Sequence, residues 1–184
     1  MARTESAMLE LQTLAPDFAL KDVTSGQNVT LQTARGPKGL LVMFICAHCP
    51  FVKHLEKALA QLGRDYASKD IGIVAISSND AASYPDDSPT GLARQAKHLG
   101  FNFPYLFDET QRAARDYNAT CTPDFFLFDG ALKLVYRGQF DASRPGNDIP
   151  ITGGDLRAAL DAVIAGHSVN PKQLPSLGCN IKWK

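Results

Sequence analysis

The chain has 184 residues, enough for one domain that buries a sizeable core without staples and too few for two full domains. Lysine plus arginine matches aspartate plus glutamate at 19 each, so no basic surplus points to nucleic acid or an anionic membrane surface. The longest apolar run, Leu40 to Cys46, falls far short of the roughly 20 residues of a membrane-crossing helix, and residues 1–30 hold no secretory apolar stretch; the expectation is a cytoplasmic protein with no membrane partner.

In chain order, Ala15 to Leu31 reads as a β-hairpin, with Phe18, Leu20, Val29 and Leu31 apolar around Ser25-Gly26. Gly39 to Ile45 is continuously apolar after its glycine and suits a central strand buried on both faces. Val52, Leu55, Leu59, Leu62 and Tyr66 then recur at steps of three and four, the stripe of an amphipathic helix. Ile71 to Ser77 is a second buried strand. Ser78 to Pro89, rich in aspartate and proline, is a loop without an assigned role, and Thr90 to Leu99 is a helix with Thr90 as its N-cap and Gly100 past its end.

Tyr105 to Phe107 reads as a short strand and Gln111 to Tyr117 as a short helix. Phe125 to Phe128 and Leu132 to Arg137 flank Asp129-Gly130, the dipeptide of a type I′ hairpin turn. Asp155 to Ala165 closes the pattern as a helix ending at Gly166. Strands alternating with helices, followed by a hairpin and a last helix, give an α/β class with a mixed sheet flanked by helices. Without a linker or repeat, residues 1–184 form one domain, and 167–184 pack back as a tail carrying Leu174, Leu177, Ile181 and Trp183.

Four cysteines are too few for a disulfide scaffold in a chain this long, so their placement carries the message. Cys46-Ala47-His48-Cys49-Pro50 lies between a buried strand and a helix start, where unpaired amides and the helix dipole favour a thiolate. Residues three apart at a helix start are spaced for a disulfide. The pair therefore reads as a dithiol that cycles to a disulfide. A cationic His48 between the sulfurs would favour a thiolate and make the pair more oxidising, while an exposed histidine without a role is the plainer alternative.

The sequence resembles the thioredoxin-like redoxin superfamily that includes the alkyl hydroperoxide reductase and thiol-specific antioxidant proteins. Four segments carry the likeness: Ala15-Pro16-Asp17-Phe18-Ala19-Leu20 with Gly26, Cys46 to Pro50, Cys121-Thr122-Pro123, and Tyr136-Arg137-Gly138. The ending Gly178-Cys179-Asn180-Ile181-Lys182-Trp183-Lys184 is similar to a little-characterised bacterial subgroup. The resemblance implies a thioredoxin fold in which Cys46 attacks and Cys49 resolves. It also implies that Pro123 is a cis-proline facing the pair, that Thr122 offers backbone hydrogen bonds to an incoming disulfide or extended peptide, and that no cofactor is needed. Ile45 stands where thioredoxins carry tryptophan, and the strand Leu40 to Ile45 has no buried acid; Asp124 is either a substitute proton carrier or a surface turn residue.

Three functions follow as expectations. The first is a thiol-disulfide oxidoreductase acting on a protein or small-molecule disulfide and recharged by an electron-donor thiol protein. The second is a peroxiredoxin-like peroxidase, in which Cys49 matches the peroxidatic cysteine and Arg137 or Arg144 would support the peroxide. The third is a copper or zinc carrier using Cys46, Cys49 and His54. Cys121 and Cys179 are candidate auxiliary thiols: the alternative for Cys121 is burial as a small apolar residue, and Cys179 is either a second resolving thiol, if the tail reaches the site, or an inert or Cys121-paired thiol.

Overall fold

The structure is a computed structural model that describes residues 3–184. Its strands are β1 (Arg3–Glu5), β2 (Ala19–Asp22), β3 (Asn28–Thr30), β4 (Gly39–Phe44), β5 (Ile71–Ser77), β6 (Tyr105–Phe107), β7 (Cys121–Thr122), β8 (Asp124–Asp129), β9 (Leu134–Gly138) and β10 (Leu177–Asn180). The α-helices are α1 (Leu31–Ala34), α2 (Pro50–Tyr66), α3 (Pro89–Leu99), α4 (Arg112–Asp116) and α5 (Gly154–Ala165). No described helix is long and apolar enough to cross a membrane.

Seven strands form one mixed sheet in the order β3-β2-β6-β5-β4-β8-β9. The central β4 runs parallel to β5 and antiparallel to β8, and every one of its residues is buried, as an apolar run bounded on both faces requires. Residues of α2, α3 and α5 pack with Leu41, Met43 and Ile45 on one face; Ala114 of α4 and Leu31 of α1 pack with Leu40, Val42 and Phe44 on the other. This is the α/β arrangement of the thioredoxin fold. Each fully buried aliphatic side chain of β4 contributes about 1.5–3 kcal/mol of burial, which makes this strand the fixed platform for the residues that follow it.

Several local expectations change. Leu31 is the first residue of α1, not the end of a strand, because Thr30 and Thr33 form a capping box in which each side chain takes the other's amide. The N-cap of α3 is Ser88, whose hydroxyl accepts from the Gly91 amide, and Thr90 lies inside the helix. Asp129-Gly130 does not form a two-residue turn: the Asp129 carboxylate accepts from the Ala131 and Lys133 amides, and the left-handed residue is Leu132 at φ 60°. Within the Ser78 to Pro89 loop, Pro85–Asp87 forms a 3-10 turn.

The tail, expected only to pack back on the domain, supplies β10. That strand pairs antiparallel with β1 on one side and with β7 on the other, matching Cys179 to Thr122 and Asn180 to Cys121. Ile181 is buried, and Gln111 donates to the Lys182 carbonyl, so the tail is anchored beyond the strand as well. A Cβ on Gly178 would lie 2.0 Å from the Thr122 carbonyl oxygen, an approach only glycine permits. Gly178→Ala is expected to push β10 from β7 and to cost about 2 kcal/mol or more in urea unfolding; a shift below about 0.5 kcal/mol, the range of ordinary surface substitutions, would show that the contact is not needed.

Candidate redox site

The site forms where β4 ends and α2 begins. Cys46 follows the strand through Ile45, Cys49 is the N-cap of α2, and Pro50 is its first residue, where the missing N–H costs nothing. Cys46 and Cys49 are fully buried. Cys46 Sγ is 3.3 Å from Thr122 Oγ1, and Cys49 Sγ is 3.2 Å from the Thr122 carbonyl oxygen. The Thr122–Pro123 peptide is cis. Thr122 therefore touches both sulfurs, and it was expected only to offer backbone bonds to substrate.

Cys179 arrives from β10 with its sulfur 2.7 Å from Cys49 Sγ. Three sulfurs thus meet at one helix start. As a thiol, Cys49 donates to the Thr122 carbonyl; as a thiolate, it receives hydrogen bonds from Cys46, from Cys179 and from the Val52 amide. Those bonds, led by that from Cys46, bring the Cys49 thiol down to about 5 in spite of burial. Burial, the bond to Cys49 and the negative charge of Asp87 push Cys46 the other way, well above the ordinary thiol range. Burial and the neighbouring Cys49 raise Cys179 to about 12. The environment therefore favours the negative charge on Cys49, whereas the resemblance implied that Cys46 is the attacking thiol.

The thiolate ultraviolet absorbance of the reduced protein is expected to appear with a midpoint near 5 and to be lost over that range in Cys49→Ser. A first midpoint at or above the ordinary thiol value of about 8.5 would place the charge elsewhere.

Asp87 is the residue that sequence reasoning missed. Fully buried in the turn before α3, its Oδ1 accepts from the Ala47 amide at 2.7 Å and the His48 amide at 3.1 Å. Its Oδ2 takes Asn79 Nδ2 at 2.7 Å and lies 2.5 Å from His48 Nδ1. Burial opposes its charge, but the bonds from His48 and Asn79, the His48 charge and the Ala47 amide hold its carboxyl below the usual range. The strand-helix-strand order could have placed its loop, though not this carboxylate, near the site: β4 and β5 are parallel neighbours, so the loop after β5 leaves at the edge where the cysteine loop begins.

His48 therefore pairs with Asp87 and stacks on Tyr84 with ring centroids 4.8 Å apart. Any positive charge it carries is matched by that carboxylate, which removes the simple picture of a cation facing the thiolate. Cys46 Sγ, a His48 ring nitrogen and an Asp87 oxygen lie within 4.8 Å of one another, the one such cluster of possible metal donors among the described residues. His54 is not in it; its ring bonds Ser143 Oγ at 3.2 Å, so the proposed carrier set of Cys46, Cys49 and His54 is not assembled.

The remaining candidates go elsewhere. Cys121 is buried on β7, its sulfur directed to the Pro123 carbonyl at 3.7 Å, and burial with the adjacent Asp124 raises its thiol. Asp124 is no surface turn residue: it is fully buried, its carboxyl raised by burial, with Oδ2 unpartnered. Arg137 binds the Leu9 carbonyl and Gln173, and Arg144 binds the Asp141 and Ser143 carbonyls and Gln139. Neither of these two arginines has a hydrogen bond to Cys46 or Cys49 among the described residues.

Residues 11–137 match the AhpC/TSA family. The chain belongs to the AhpC/TSA family. No curated protein matches it. This AhpC/TSA chain is 53% identical to an uncharacterized conserved protein of Geobacillus kaustophilus over 100% of its own length and 97% of the other, with a TM-score of 0.98. It is 48% identical to a hypothetical protein of Sinorhizobium meliloti 1021, covering 98% of each chain, with a TM-score of 0.96. The thioredoxin domain of a thiol-disulfide oxidoreductase from Bacteroides vulgatus shares the fold at a TM-score of 0.59 and 19% identity, over 74% of this chain and 90% of that one. At family level, AhpC/TSA membership supports thiol redox chemistry of the oxidoreductase or peroxidase type.

Proposed function

We propose that this protein is a thiol-disulfide oxidoreductase working through Cys46 and Cys49, with Cys49 as the attacking thiolate and Cys46 as the thiol that displaces the mixed disulfide. The observation that carries the reading is the pair of sulfurs at the start of α2, both held against Thr122 beside cis-Pro123. The thiolate of Cys49 attacks one sulfur of a disulfide and expels the other as thiolate; Cys46 then attacks Cys49 Sγ and releases the second thiol. A donor dithiol reverses the change. The edge of β7, which an extended peptide would need, is already paired with β10, and this favours a small disulfide over a protein segment as the oxidant.

Peroxidase activity with Cys49 as the oxidised sulfur is the second reading, favoured by its place at the helix start directly before Pro50. The two separate in a rapid-mixing experiment. Reduced protein is expected to exchange with a small aromatic disulfide far faster than free cysteine does and to react with hydrogen peroxide no faster than free cysteine. Fast peroxide consumption with slow exchange would overturn the first reading in favour of the second.

A further inference from the structure

The resemblance leads one to expect an incoming chain along β7, with its sulfur brought to the dithiol. In this fold the protein's own C-terminal strand lies there. β10 adds antiparallel to β7 with Cys179 opposite Thr122, the same residue that contacts both Cys46 and Cys49. Gly178 lets the strand approach closely enough for its carboxyl-side neighbour to reach the site. The Cys179 sulfur is 2.7 Å from Cys49 Sγ, so a shift of roughly 0.7 Å would bring the two to the bond length of about 2.05 Å. The Phe51 amide donates to Cys179 and the Val52 amide to Cys49, so consecutive N–H groups at the start of α2 support both sulfurs.

We propose that Cys179 is a third redox thiol: the tail strand acts as a built-in substrate segment, and oxidation passes through a Cys49–Cys179 disulfide. This rests on the thiol-exchange reading and adds a step to it. The Cys49 thiolate attacks a small disulfide, forming a mixed disulfide and expelling one small thiolate. Cys179 gives its proton to that thiolate and attacks Cys49 Sγ, forming Cys49–Cys179 and expelling the second small thiolate, which takes up a proton from solvent. The protein loses two electrons and the small disulfide gains them. Cys46 can then attack Cys49 Sγ, its proton passing to the departing Cys179 sulfur, which moves the bond to Cys46–Cys49 without further oxidation. Oxidised at Cys49–Cys179, the tail is tied covalently to the start of α2.

The test oxidises full-length wild type, Cys46→Ser and the Cys46→Ser/Cys179→Ser double variant with oxidised glutathione, counts the glutathione released and maps disulfides in non-reducing digests by mass spectrometry. Cys46→Ser is expected to release two equivalents and to yield the Cys49–Cys179 peptide pair. The double variant should release one equivalent and keep glutathione on Cys49. Should Cys46→Ser release only one and retain the adduct on Cys49, while wild type still releases two, Cys179 has no redox role and the exchange reading stands. If wild type releases none, the exchange reading fails and the proposal with it. Cys46→Ala gives the same readout should the buried serine unfold the chain.

Discussion

Asp87→Ala is expected to destabilise the protein by about 3 to 5 kcal/mol, since a buried charge in a hydrogen-bonded network is removed and its partners are stranded. The Ala47 and His48 amides, Asn79 Nδ2 and the His48 ring all lose their common acceptor. A domain holds roughly 5–15 kcal/mol in total, so the loss would be plain in a urea midpoint shift at unchanged slope. Asp87→Asn keeps an oxygen for the two amides but turns an amide group towards donors, and a smaller loss is expected. It also removes the negative charge beside Cys46, so the Cys46 thiol should titrate at lower pH than in the wild type. A cost below about 1 kcal/mol for Asp87→Ala, the worth of one ordinary hydrogen bond, would mean that the cysteine loop is held by other contacts.

Cys49→Ser is expected to reduce the rate of exchange with a small disulfide on the order of a thousandfold or more, because the group carrying the nucleophilic charge is gone and the remaining thiols stay protonated near neutral pH. Burial, the largest cause that raises the Cys46 and Cys179 thiols, remains when Cys49 is replaced, and Asp87 still opposes a charge on Cys46, so neither is ready to take over. Cys46→Ser keeps a hydroxyl that can donate to Cys49, so the first attack should survive and the defect should appear in the later displacement. Stopped-flow measurement of small-thiol release in the two variants separates these steps. The reverse pattern, first attack lost in Cys46→Ser and kept in Cys49→Ser, would restore Cys46 as the attacking thiol.

The sequence by itself determined the elements whose signal is local. An uninterrupted apolar run made β4, a three-and-four stripe made α2, and Cys46, Cys49 and Pro50 at their junction announced a dithiol at a helix start. Three things were decided only by the tertiary structure, because each depends on contacts between residues far apart in the chain. Asp87 reaches the cysteine loop across about forty residues, and nothing in an aspartate-rich loop says which carboxylate will be buried. The strand β10 exists because β1 and β7 offer it edges, and a four-residue segment without periodicity has no pattern to show this beforehand. The opposite shifts of the Cys49 and Cys46 thiols come from the amides, carboxylates and sulfurs that surround each one, and Cys179, 130 residues away in sequence, is among them.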